Sequence, residues 1–235
     1  MNKFFLLLTL LCLSLSARAH DAKVDGIFYN LDADDKTATV TFKGDSPDSY
    51  DNEYSGNVVI PETVTYDGIT YSVTALGDKC FRGCSYLTSI TIPNSVTSLG
   101  NSCFWGCRSL TSITIPNSVT SLGSFCFYGC SRLTSITIGN SVTSLGDKCF
   151  YGCSRLTSIT IPNSVTSLGR SCFKGCSSLT SIYMLPSTPP SIDSWIFDDT
   201  PLKTIYVVNE NAKKAYQAQG PWNEYRIVVK RTGIK

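Results

Sequence analysis

Five cysteine pairs offer the most obvious chemistry in the sequence. Cys80/Cys84, Cys103/Cys107, Cys126/Cys130, Cys149/Cys153 and Cys172/Cys176 share C-x3-C spacing and recur every 23 residues. Zinc sites favour C-x2-C spacing, often with histidine. Here the neighbours are Phe and Leu and no histidine is near, so metal is set aside. On a helical turn, residues four apart share a face, but a disulfide closing so short a loop removes little unfolded-chain entropy. Bridges between successive repeats meet the Cα spacing a disulfide needs, yet a column of five leaves one cysteine over. Free cysteine is also among the most buried residue types. The preferred reading is small, reduced core residues; disulfides stand beside it, and counting free thiols in the unfolded, unreduced chain separates the two.

Other chemistry is sparse. The single histidine, His20, sits at the expected mature terminus and makes a poor positioned base for a Ser or Cys nucleophile. Between Gly77 and Leu185 the only carboxylates are Asp78 and Asp147. They hold the same repeat position three rungs apart, about 14 Å in a β-ladder, which exceeds the separation of a glycosidase pair. No glycine-rich phosphate loop or dinucleotide fingerprint is present. The expectation is a non-enzymatic chain without metal or cofactor.

The elements that carry these residues repeat. LTSITIPNSVTSLG starts at Leu87, Leu110 and Leu156, and at Leu133 with Gly139 replacing the proline. The leucine column extends to Leu179 and Leu202 in constant steps. Upstream, GNVVIPETV from Gly56 matches TSITIPNSV, with an insertion around Tyr66–Tyr71 before SVTALG. About seven rungs result, degraded at both ends, as a stack with exposed end faces requires. In one rung, Ile113 and Ile115 alternate with Ser112 and Thr114, which is strand periodicity. Pro116-Asn117-Ser118 ends the strand. Val119 and Leu122 form a second short inward segment, and SFCFYGC a short helical or irregular arc. No rung buries its apolar face alone; stacking makes like residues into columns and the core continuous.

LTSITIPNSVTSLG followed by CF-x-GCS-x-L resembles leucine-rich repeats, and more closely their BspA-type branch, over about Gly56 to Val208. The resemblance implies a repeat solenoid: 23-residue rungs, a parallel β-sheet on one face and short helical or irregular arcs on the other. It also implies a C-terminal cap. It supports core thiols too, because the first cysteine position is commonly a small residue and cysteine is frequent at the second. One departure is visible. The common pattern is LxxLxLxxN, but Asn117 falls one position early and Ser118 takes the asparagine place, so Asn117 is read as a turn residue.

Four segments follow: 1–19, 20–77, 78–208 and 209–235. The first reads as a signal peptide, with a basic start, the apolar run FFLLLTLLCLSLS and Ala17-Arg18-Ala19 as cleavage site. The run is short for a spanning helix. The expected product is secreted, periplasmic or at the cell surface, with no membrane insertion after cleavage. Residues 20–77 are an acidic, β-rich N-terminal cap with a degenerate first repeat. His20 to Tyr71 holds 11 acidic and 3 basic residues, and GIFYNLDADDKTATVTF reads as a hairpin with a solvated turn at Asp32–Asp35. Residues 209–235 form a cap of helix (Asn209 to Gln219) then strand (Tyr225 to Lys230), with Tyr216 and Trp222 packed beneath.

Two surfaces are candidates for binding. The strand face presents a row of Ser and Thr that ends at Tyr183, and solvation alone accounts for it. The variable position of CF-x-GC is more specific: Arg82, Trp105, Tyr128, Tyr151 and Lys174 make an aromatic row with a cation at each end. Tyr86, Arg108, Arg132 and Arg155 lie nearby. Gly77 to Leu185 carries 8 basic and 2 acidic residues. Aromatics with arginine suit protein hot spots, and flat rings stack on sugars; the same rings also serve simply to cover core. A net charge of only +2 and export argue against nucleic acid. Self-association of the acidic cap with a basic array on another chain is a further possibility. Resemblance implies adhesion or host-matrix interaction with an extracellular protein or glycan. A structural or glycan-capture module of the cell envelope is the alternative.

Overall fold

The computed structural model describes residues 20–44, 52–193 and 195–230. The expected signal peptide, part of the acidic cap and the last five residues lie outside them.

The chain opens with β1 (Ala22–Val24), β2 (Ile27–Asp32) and β3 (Thr37–Thr41), an antiparallel meander. Its second turn is built by Asp32, whose Oδ1 accepts the backbone N–H groups of Asp34 and Asp35 at 3.0 Å. The acidic cluster is therefore a self-capped hairpin turn. β4 (Gly56–Val59), β5 (Thr63–Tyr66) and β6 (Ile69–Leu76) follow, with β5 and β6 antiparallel about Asp67-Gly68. Both turn residues have positive φ, the geometry that Asp-Gly hairpins favour. The insertion foreseen near Tyr66–Tyr71 is this hairpin.

Each later rung adds one longer strand and one two-residue strand. They are β7 (Leu87–Thr91) with β8 (Ser98–Leu99), β9 (Ser112–Thr114) with β10 (Ser121–Leu122), and β11 (Ser135–Thr137) with β12 (Ser144–Leu145). β13 (Ser158–Ile161) with β14 (Ser167–Leu168), and β15 (Ser181–Met184) with β16 (Ser191–Ile192), continue the stack. β17 (Thr204–Val207), α1 (Glu210–Ala218), a 3-10 turn (Trp222–Glu224) and β18 (Arg226–Val229) close it.

The short strands join β1, β2, β3 and β6 in one ten-stranded sheet, so the N-terminal meander continues a face of the solenoid. The longer strands form a second, parallel face, hydrogen-bonded in three groups: β4–β7, β9–β11 and β13–β15–β17–β18. The arcs form a third face. They contain no helix; they are chains of turns bonded from rung to rung. Lys79, Phe81 and Gly83 donate N–H to the carbonyls of Asn101, Cys103 and Trp105 at 2.8, 2.9 and 2.7 Å, and later arcs repeat the pattern. A backbone that reads as irregular thus has its polar groups paired along the stack.

Inside, in-register residues stack. Phe81, Phe104, Phe127, Phe150, Phe173 and Phe197 make a column with ring centroids 5.2–5.7 Å apart. Tyr54, Phe28 and His20 extend it at the N-terminal end, with His20 in an edge contact 4.6 Å from Phe28. Trp222 and Tyr225 close the other end against Phe197. Tyr216 and Trp222 are fully buried, and their polar atoms donate to the carbonyls of Pro186 and Pro190. α1 begins at Asn209, whose Oδ1 accepts the Ala212 N–H at 2.8 Å.

Serine does the work of the missing asparagine ladder. The hydroxyls of Ser118 and Ser164 donate to the carbonyls of Val96 and Val142 in the preceding rung. Asn117 is an exposed turn residue, as read from the sequence, and its Oδ1 accepts the Asn140 N–H at 2.8 Å. Gly139 allows this approach: a Cβ there would fall 2.3 Å from the Pro116 carbonyl oxygen.

Candidate binding surface on the arc face

Each arc turns through two left-handed residues. One is the glycine of CF-x-GC, with φ between 69 and 74° at Gly83, Gly106, Gly129, Gly152 and Gly175. The other is not glycine: Lys79, Ser102, Phe125, Lys148 and Ser171 have φ of 52–59°. Phe and both Cys of the motif point inward and are buried. The variable residue before the glycine is left outside and half-buried.

The expected row is continuous at its N-terminal end. The Arg82 guanidinium lies 5.0 Å over the Trp105 ring, in the range of a cation–π contact. Trp105 and Tyr128 rings are 4.9 Å apart and tilted; Tyr128 and Tyr151 are 4.8 Å apart and nearly parallel. The sequence reading missed Phe125 and Lys148. Phe125 stacks on Trp105 at 5.8 Å and meets Tyr128 at 6.0 Å, with the Lys148 ammonium 5.3 Å over it. The signal was available, because this left-handed position is one of the arc columns that vary between rungs.

The far end differs from expectation. Lys174 is ion-paired to Asp198 at 3.3 Å and lies 3.9 Å from Asp199, so it closes the row as a neutralised pair. Most of the ring faces are also taken. In-register side chains sit one rung apart, so the faces of Tyr128 and Tyr151 lie against each other and those of Trp105 against Arg82, Phe125 and Tyr128. The row presents ring edges, hydroxyls and cations, and stacking of a sugar on an open ring face is not what this geometry offers.

The remaining arginines flank the row. Arg108, with Arg82, Trp105, Asn52 and Ser85, lines a cavity of about 320 Å³ where the N-terminal cap meets the arcs. Arg132 and Arg155 are exposed in adjacent rungs of one column. Among the described residues neither they nor Arg108 forms an ion pair. Between Gly77 and Leu185 every charged side chain belongs to an arc, and the two strand faces carry none.

The two solenoid carboxylates have a structural task. Asp78 Oδ1 accepts the Asn101 N–H at 2.6 Å and Asp147 Oδ1 accepts the Arg170 N–H at 2.9 Å. Asn101 does the same for Ser124 at 2.8 Å. The cysteines are packed and unbridged among the described residues. Cys80 and Cys103 thiols touch at 3.4 Å. Cys107, Cys130, Cys153 and Cys176 donate S–H to the carbonyl of a Phe one rung back, at 3.1–3.2 Å. Burial pushes the thiols of Cys103, Cys107, Cys149 and Cys153 well above the ordinary range, and those of Cys84 and Cys176 up to about 12. A thiol held neutral is a weak nucleophile.

The Ser/Thr face is interrupted. A cavity of about 380 Å³ opens between β7 and β9, where Ser89 and Thr91 face Ser112 and Thr114. At its C-terminal end Tyr183 and Tyr206 stack at 5.0 Å, with the Lys230 ammonium 4.3 Å over Tyr183.

The repeat register and the buried CF-x-GC arcs coincide with a known sequence family: residues 63–154 and 97–218 match the BspA type leucine-rich repeat region, in six copies. The chain belongs to the BspA-type leucine-rich repeat family. Solved structures agree on the fold. A leucine-rich repeat protein of T. pallidum is 21% identical, with a TM-score of 0.62 over 89% of this chain and 100% of that one. One from Bacteroides ovatus is 21% identical, with a TM-score of 0.53 over 89% and 67%. One from Eubacterium ventriosum is 24% identical, with a TM-score of 0.53 over 88% and 51%. No curated protein matches the chain. BspA-type folds are typically non-catalytic interaction modules, and members are typically found at the cell surface or secreted. No helix among the described residues is long and apolar enough to cross a membrane.

Proposed function

We propose that this chain is an exported binding protein that adheres to an extracellular ligand through its arc face. One observation carries the reading. Rungs that are otherwise near-identical differ chiefly at arc positions, and the structure brings those positions into one strip of Arg82, Trp105, Phe125, Tyr128, Tyr151 and Lys148. Half-buried aromatic edges beside arginines are the composition of protein-binding hot spots. Between Gly77 and Leu185 the strand faces are uncharged and vary little from rung to rung, and so offer less to discriminate partners.

The test is an array of matrix proteins and glycans, screened with the folded chain beside a Trp105→Ala/Tyr128→Ala/Tyr151→Ala variant whose folding is checked by circular dichroism. A ligand lost in the variant is expected. A ligand retained at full strength moves the site to the Ser/Thr face or the acidic cap and refutes the proposal. No ligand at all favours an envelope structural role.

A further inference from the structure

The charge pattern of the arc face narrows the ligand class, on the footing of the binding role proposed above. Cations recur from rung to rung along the arc face. Successive rungs contribute Arg82, Arg108, Arg132, and then Arg155 with Lys148. With rungs about 4.8 Å apart, this line extends about 14 Å along the solenoid axis. In the next rung Asp198 and Asp199 neutralise Lys174, and Arg170 lies over the Trp195 ring. Asp147, the one carboxylate inside the line, is held at the rung corner by the Arg170 N–H; Asp78 lies at its start.

Such a line fits a partner whose own charges repeat along one axis. A neutral sugar or an unpaired nucleic-acid base needs an open aromatic face to stack on; within the strip, Trp105, Phe125 and Tyr128 already lie against neighbouring rings and against Arg82 and Lys148, and the exposed rings of Tyr86 and Trp195 stand outside it. What remains outward is cationic and hydrogen-bonding. Guanidinium groups bind sulfate and carboxylate oxygens through paired donors. The cavity holding Arg82, Arg108, Asn52 and Ser85 gives one such group a recessed seat. We propose that the arc face binds a linear anionic glycan, a sulfated or uronic-acid polysaccharide, lying along the solenoid axis with one anionic group opposite each of these rungs.

The repeat itself supplies well-controlled variants. Arg108 occupies a column that is otherwise Ser85, Ser131, Ser154 and Ser177; Arg132 and Arg155 occupy one that has Ser109 and Ser178. Arg108→Ser/Arg132→Ser/Arg155→Ser therefore installs residues the same fold already carries at those places. The probe is size-defined heparin, titrated into the purified chain by calorimetry at several salt concentrations, beside desulfated heparin and duplex DNA. Release of counterions from four contacts, scaled as for a single-stranded polyanion, weakens binding roughly 50-fold between about 50 and 200 mM salt. The triple variant should bind at least about 10-fold more weakly, with a log–log salt slope lower by about 2.

Equal binding by the variant or of duplex DNA would overturn the proposal; equal binding of desulfated heparin would support it with the uronic carboxylates, not the sulfates, as the groups bound. The salt slope of the unmodified chain tests it even if the variant folds poorly: a flat slope refutes it. If heparin fails while a matrix protein binds and is lost on removing the rings, the glycan assignment falls and the arc-face role stands. If the rings do not matter to any ligand, the arc-face role falls as well.

Discussion

Replacing Gly123 by alanine tests what sets the spacing of the rungs. Gly123 does not have a positive φ, so its backbone imposes no demand for glycine. The demand is contact: a methyl group there would lie 2.7 Å from both the carbonyl carbon and oxygen of Gly100 and 2.8 Å from the Asn101 nitrogen. Ordinary contact begins near 3.4 Å, so the rungs must part locally by about 0.7 Å, all of it against backbone. Two bonds cross that gap, Gly123 N–H to Leu99 O at 3.3 Å and Thr120 N–H to Thr97 O at 3.2 Å. They are already longer than the matching Gly146 to Leu122 bond at 2.9 Å. Opening takes them to about 4 Å, beyond hydrogen-bond range. Overpacking costs about 1–3 kcal/mol and each bond about 0.5–1.5 kcal/mol, so Gly123→Ala should destabilise by about 3 kcal/mol. Gly129→Ala is the control: φ is +69° and nothing lies within 4 Å, leaving a left-handed penalty of about 1 kcal/mol. Urea unfolding followed by circular dichroism compares them. If Gly123→Ala proves no more costly than Gly129→Ala, close backbone contact at the corner does not set the rung spacing.

Two further outcomes are expected. Unfolded without reductant, the chain from His20 should show ten titratable thiols, and folded at pH 8 it should show none; bridged cysteines would appear as a shortfall. Because burial raises the Cys84 and Cys176 thiols from near 9 to about 12, their contribution to stability is complete below about pH 9. It falls as pH rises towards 12, so urea midpoints should decline across that interval. Asp147→Asn should leave stability unchanged, since Asn101 makes the same inter-rung bond, whereas Asp147→Ala should cost under about 1 kcal/mol; a larger loss in the Asn variant would mean that the charge itself matters.

Strand alternation at Ile113 and Ile115, the leucine column and the constant step of the cysteine pairs were enough to establish a solenoid and its inward columns. Those features are local in period, and stacking identical units brings like residues together whatever the detailed path of the backbone. The hairpin turn at Asp32–Asp35 and the helix after Asn209 were legible for the same reason, since caps and turns are made by neighbours in sequence. The arc face was only half legible. Its variable positions show in the sequence as differences between rungs, but the outward placement of Phe125 and Lys148 follows from a left-handed backbone at a non-glycine residue, which no residue type announces. Whether ring faces are open depends on the rung-to-rung distance, and the neutralisation of Lys174 depends on Asp198, delivered by a last arc that sits one residue later in its rung than the others. The sequence alone therefore determines which residues share a column. Tertiary structure decides what each side chain has left to offer, because contacts between rungs are made across 22 or more residues and are fixed only when the stack closes.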